Sequence, residues 1–249
     1  MVCETFSQGH SIVHRLDPRA RAVVAAAFSV VVALAGRWPV LAAALVLAVG
    51  GAAVARLPLL PLARRLAGLN AFLLVLWLVL PFTVEGTAVF HVGPLAWTAA
   101  GAARAMAIWL KANAIVLALT VLLGTMEITA LGHALHHLRV PRKLAHLLLF
   151  TVRYIDLIHH EYRRLRNAMR VRCFRPRANR HTYRAYGNLV GMLLVRSFDR
   201  AERVLAAMKC RGFRGQFHLL DHFAFARRDL AFALGSALVL GLLAWGAWL

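Results

Sequence analysis

Two kinds of side chain in this 249-residue sequence stand where they could do chemistry. The first is histidine. His133, His136 and His137 are spaced i, i+3 and i+4, one face of a helix, and His159, His160, His218 and His222 add more. Neutral imidazole is the usual ligand for borderline transition metals, so the chemistry would be metal handling. The competing reading is that His stands in for Lys or Arg on wet helix surfaces, because no Asp or Glu lies near His133, His136 and His137 to complete a typical site. The second is arginine, in an eight-residue pattern that occurs twice: Ala168-Met169-Arg170-Val171-Arg172-Cys173-Phe174-Arg175 and Ala207-Met208-Lys209-Cys210-Arg211-Gly212-Phe213-Arg214. Five positions are identical, and Arg172 and Arg211 lie 39 residues apart. A guanidinium offers five donors in a planar fork, suited to carboxylates and to the carbonyls at helix C-termini. Two such groups in matched surroundings predict docking of a partner at two places.

The elements that carry the arginines are amphipathic helices. Pro141 opens a helical stretch in which Ile158, Tyr162, Leu165 and Met169 recur at intervals of 4, 3 and 4, one apolar stripe that Arg172 extends. Arg163, Arg164, Arg166 and Arg170 cover the other side. The second arm repeats this with Val204, Met208 and Arg211 on the stripe and Arg196, Arg200 and Arg203 elsewhere. Gly212 is a natural stop, because the residue after a helix end often needs positive φ.

The rest of the chain is membrane. Hydrophobic residues make up 61% of it and the mean hydropathy is +0.65. Apolar runs near the roughly 20 residues needed to cross a bilayer predict five spans, near residues 20–35, 40–55, 69–80, 102–123 and 230–249. Pro81 is expected to end or kink the third span, since it lacks a backbone donor, and a polar loop should follow. The formal charge is +20, and residues 139–215 carry 19 Lys or Arg against 4 Asp or Glu. The predicted architecture is therefore all-α: transmembrane helices over 1–130, a basic insert with a pair of amphipathic helices over 131–225, and a last span over 226–249.

Positive flanks stay in the cytoplasm. Arg15, Arg19 and Arg21, then Arg56, Arg64 and Arg65, then the insert all belong on that side. Alternation puts the C-terminus outside. The first stretch, with Glu4, Asp17 and Pro18, does not read as a cleavable signal peptide. Cys3, Cys173 and Cys210, an odd number on the cytoplasmic side, imply no disulfide framework. Lys111 and Asn113 lie inside the fourth span, where ionisable and polar groups are costly and usually face other helices.

Other function classes fit poorly. No Gly-rich loop with Lys-Ser/Thr is present, Gly50-Gly51 lying in an apolar run without the lysine that would reach a phosphate. The 10 acidic residues are scattered, so acid–base catalysis has no carboxylate pair to work with. Nucleic-acid binding does not fit basic residues placed beside membrane spans with few stacking aromatics. Attraction of the arms to anionic lipid, worth about 1 kcal/mol per surface Lys or Arg, explains charge but not a repeated local order.

Three stretches carry a family resemblance: Leu16-Asp17-Pro18-Arg19, then Arg153-Tyr154-Ile155 with Glu161, then Ala207 to Phe213. With them the chain resembles, over nearly its whole length, the transmembrane T component of energy-coupling factor (ECF) transporters, the cobalt or nickel branch of CbiQ type. Members look like Ala-Met-x-x-Arg-Gly-Phe in the last stretch, within paired Ala-Arg-Gly signatures. This sequence departs from those signatures in both copies, with Val171-Arg172-Cys173 and Cys210-Arg211-Gly212, but keeps both arginines. The resemblance implies a non-catalytic scaffold of a bacterial inner membrane. Two cytoplasmic ATPase copies would dock at Arg172 and Arg211, beside Ala168, Ala207, Met169, Met208, Gly212, Phe174 and Phe213. It further implies a membrane S component that captures the cargo, and a possible small accessory membrane subunit. The chain itself would bind no cofactor, ATP being bound by its partners. Cobalt is the implied cargo, with nickel or a vitamin as alternatives. An autonomous permease using the histidines is the competing class.

Overall fold

The computed structural model describes residues 16–84, 88–92, 95–127, 130–132, 134, 141–214 and 227–248. The chain divides into two compact units: Met1–Arg139 with Phe223–Leu249, and Val140–His222. Among its described residues the first unit holds the apolar helices α1 (Pro18–Leu34), α2 (Trp38–Val54), α3 (Leu59–Thr83), α4 (Ala99–Leu122) and α7 (Arg227–Trp248). The second holds two long polar ones, α5 (Arg142–Val171) and α6 (Arg180–Cys210). The architecture is that of an all-α polytopic membrane protein. In α3, α4 and α7 the apolar stretch is long enough to cross a bilayer. Helices α1 and α2 have 17 residues each, about 26 Å at 1.5 Å per residue, and are the short members of the set.

Local chemistry sets the helix ends. Asp17 caps α1 by accepting from the Arg19 amide at 2.8 Å, and Pro18 follows at the first helical position, where a missing N–H costs nothing. Helix α3 starts ten residues earlier than the apolar pattern suggests. Pro61 falls in its first turn, where proline is tolerated, and Arg64 and Arg65 simply lie exposed on the helix. Nor does Pro81 end it, for the helix runs on to Thr83. The polar segment that follows is not all loop: it contains a two-stranded antiparallel ribbon, β1 (Ala88–Val92) and β2 (Leu95–Thr98), pairing Phe90 with Trp97 and Val92 with Leu95.

Thr98, at the end of that ribbon, caps α4. Its hydroxyl lies 3.3 Å from the Gly101 amide, 3.0 Å from the Pro81 carbonyl and 2.9 Å from that of Val84. A Cβ on Gly101 would come within 2.7 Å of the Leu80 carbonyl oxygen and the Pro81 Cα, both backbone atoms that cannot swing aside. Gly101→Ala is therefore expected to push α4 off α3 and cost about 1–3 kcal/mol, read as a lower melting temperature in detergent.

The core is built on small residues. Ala44, Ala48 and Ala52 recur every four positions along α2 and are buried together with Ala114, Leu117, Ala118 and Val121 of α4. Lipid tails offer no less apolar contact than Leu, so helices in a bilayer gain by close backbone approach, which such a stripe allows. Leu74, Trp77, Leu234 and Trp245 point outward instead, as lipid-facing residues do. Lys111 and Asn113 of the fourth span both make contacts between helices. The Lys111 ammonium donates to the Ala33 carbonyl at 2.8 Å, a favourable place for a cation because that carbonyl lies in the last turn of α1. Buried Asn113 donates to the Asn70 side chain of α3 at 3.0 Å and to the Trp109 carbonyl at 2.9 Å.

Candidate functional site

The repeated octapeptide ends both long helices, and it ends them with the same backbone geometry. In α5 the Phe174 amide donates to the Met169 carbonyl at 3.1 Å and the Cys173 amide to that of Arg170 at 3.0 Å. In α6 Phe213 donates to Met208 and Gly212 to Lys209, each at 3.0 Å. This pair of bonds is the Schellman arrangement, which satisfies carbonyls the helix leaves open and requires a left-handed residue just past the cap. Cys173 (φ 60°) and Gly212 (φ 80°) supply it. Arg172 and Arg211 are the C-cap residues themselves, and both side chains are exposed. Met169, Phe174, Met208 and Phe213 are half-buried, while Ala168 and Ala207 are exposed. Each tip thus presents one arginine beside a Met–Phe pair.

Cys173 holds a backbone conformation that favours glycine, so the departure from the family signature is one of residue type and not of shape. Cys173→Gly is expected to keep the tip's shape and to stabilise the helical pair by up to about 1 kcal/mol, measured as a higher melting temperature. Phe174 is further fixed by ring contacts with Tyr186, edge-on at 5.9 Å, and with His181 at 6.2 Å.

The two helices meet near their middles, where Arg196 of α6 donates to and pairs with Glu161 of α5. On one side of this crossing, about 400 Å³ of open space is walled by Phe150, Tyr154, Leu157, Val204, Leu205 and Met208. On the other, about 840 Å³ is walled by Leu165, Met169, Arg172, Phe174, Arg175 and Met192, among others. The stripe predicted for α5 is split between the two: Ile158 lines the first crevice, Leu165, Met169 and Arg172 the second. The first crevice is mainly apolar, with Glu161, Arg196 and Arg200 also in its wall. The second carries Arg172, Arg175, Arg177 and Arg196.

His133, His136, His137, His218 and His222 lie outside the described residues. Among the described residues no group of three His, Cys, Asp or Glu could hold a metal. What sequence reasoning missed is a buried polar cluster at the start of α1, where Asp17 and Arg21 are 6% and 1% exposed. Its partners are distant in sequence, and Arg21 reads there only as a flanking positive charge.

Hydrophobic helices around a small-residue core, with a separate basic pair ending in matched exposed arginines, define a polytopic membrane protein with a basic helical unit. The sequence profile of the family described as "Cobalt transport protein" (CbiQ) matches residues 9–219. The chain is 28% identical to the energy-coupling factor transporter transmembrane protein EcfT of Listeria innocua, over 98% of this chain and 97% of that protein. It is 30% identical to EcfT of Leuconostoc gelidum, over 84% and 82%, and 29% identical to the cobalt transport protein CbiQ of Rhodobacter capsulatus, over 58% and 60%. The chain belongs to the CbiQ/EcfT family, whose members are non-catalytic transmembrane components of ECF transporters.

Proposed function

We propose that this chain couples ATP hydrolysis by two cytoplasmic ATPase copies to the movement of a cargo-binding S component, and that the cargo is cobalt. The observation that carries the coupling role is the duplicated tip, alike in sequence and in backbone hydrogen bonding, as two copies of one socket would require. Arg172 and Arg211 enter the sockets, flanked by the Met and Phe side chains. The apolar crevice beside the crossing suits a membrane partner better than a soluble one. In this reading the N-terminus and the helical pair face the cytoplasm, as the positive flanks argue, and a small accessory membrane subunit completes the assembly. Cobalt is supported by the family description and by the Rhodobacter relative, whose name carries it. The names of the EcfT relatives specify no cargo.

Affinity capture of the tagged chain from its native membrane, with partners identified by mass spectrometry, tests this. Recovery of ATPase subunits and a second small membrane protein is the expected result, and the bound ion of that second protein should be cobalt. Nickel or a vitamin there would keep the coupling role and change the cargo. The chain recovered alone, yet moving metal ions in proteoliposomes, would overturn the coupling role in favour of a histidine-based permease.

A further inference from the structure

The buried cluster at the start of α1 joins three segments that are far apart in sequence. The Asp17 amide donates to the Asp229 carboxylate of α7 at 2.8 Å, and the Arg21 guanidinium donates to the Thr125 hydroxyl just beyond the end of α4. Thr125 in turn donates to the Val121 carbonyl at 2.6 Å, which ties it to the last turn of α4, and the Arg21 amide reaches the Asp17 carbonyl at 3.3 Å. All four residues are buried: Asp229 is 4% exposed and Thr125 3%. Helix α1 packs against both α4 and α7, so the cluster sits on an element that touches each of the two it links.

Stability alone is a poor explanation for this arrangement. Arg21 Nε and Asp17 Oδ2 are buried without a hydrogen-bond partner. Unsatisfied buried polar atoms are expensive, and an apolar cluster of similar volume would hold the helices at lower cost. Directional bonds do something apolar packing does not, which is to fix one register among several. The register fixed here is that of the two segment ends next to the polar unit in sequence. Helix α4 ends at Leu122, 18 residues before that unit begins at Val140, and α7 begins at Arg227, five residues after it ends at His222.

We propose that Arg21 and Asp229 are positioning residues that clasp the end of α4 and the start of α7 to α1, Asp229 by accepting from the Asp17 amide, giving both connections of the helical pair one fixed root. Motion of the pair is then passed to the membrane unit as a whole, and is not spent on separate displacements of α4 and α7. The mechanical consequence rests on the coupling role proposed above, whereas the clasp itself does not, and it is tested without partners.

The test uses the full chain in liposomes with Cys3, Cys173 and Cys210 replaced by serine and nitroxide labels at Leu123 and Leu230, one at each root. Pulsed electron resonance reads the distance between them. The parent should give one narrow distribution. Arg21→Ala and Asp229→Ala should broaden it about twofold or more, as freed segment ends do, with Arg21→Lys in between. Thr125→Val removes the hydroxyl that accepts from Arg21, along with its own bond to the Val121 carbonyl, at nearly constant volume, and decides the matter if Arg21→Ala does not fold. Asn113→Ala, which breaks a buried polar contact between α3 and α4, should lower the melting temperature without broadening. An unchanged width in Thr125→Val and Asp229→Ala, or equal broadening in Asn113→Ala, overturns the proposal.

Discussion

Alanine at both Arg172 and Arg211 is expected to abolish capture of the ATPase subunits and ATP-driven uptake, while the purified chain melts as the parent does. Both side chains are exposed, and the helix ends are closed by backbone bonds from residues 173, 174, 212 and 213, so truncation removes nothing the fold needs. What is lost is recognition. A hydrogen bond to a charged group contributes roughly 1.5–3 kcal/mol, and buried arginines at interface centres are frequent hot spots. Two together are therefore worth about 4 kcal/mol, close to a thousandfold in affinity. Each single alanine variant should fall about halfway on the free-energy scale if the sockets are alike. Glutamate at the same positions should be worse than alanine, because it adds repulsion to the lost bonds. Continued capture and uptake by the double alanine variant would show that the tips do not dock.

The crossing of α5 and α6 should fail in a different way. Glu161 is 18% exposed and Arg196 41%, so the pair is partly screened and a simple deletion should cost only about 1 kcal/mol. Glu161→Arg is harsher, because it sets two guanidinium groups against each other where the helices touch. The expected result is a tenfold or greater loss of uptake with ATPase capture retained, since the tips are untouched. The exchanged pair, Glu161→Arg with Arg196→Glu, should recover most of the uptake, as a double-mutant cycle requires of two residues that act through each other. Loss of capture along with uptake, or no recovery in the exchange, would mean that the crossing only supports the fold.

Much of this was open to reading from the sequence because it is local. The five apolar helices follow from runs of Ala, Val and Leu, and the second tip from a glycine in the one position that needs positive φ. The first tip was harder. Cys173 carries a Cβ, so residue type gave no sign of a left-handed conformation, and only the match of the surrounding octapeptide to the second copy pointed there. The third helix shows how composition misleads: Arg64 and Arg65 interrupt the apolar pattern without interrupting the helix, because nothing in an exposed arginine opposes helical φ and ψ. The contacts that escaped reading are those made across distance. Arg21 meets Thr125 and Asp17 meets Asp229, 104 and 212 residues apart, and Glu161 meets Arg196 across 35. No periodicity records such pairs, since the fold alone brings them together.

The crossing point divides the two arms unequally. From Glu161 to Arg172 is 11 residues of helix, about 17 Å, and from Arg196 to Arg211 is 15, about 22 Å. A scissor-like rotation of about 10° about that point would carry the first arginine about 3 Å and the second about 4 Å. Two identical motors closing together would therefore meet levers of different length, and the longer one must give up force for its extra travel. If the pair relays such a stroke, two like tips would pass it on unequally.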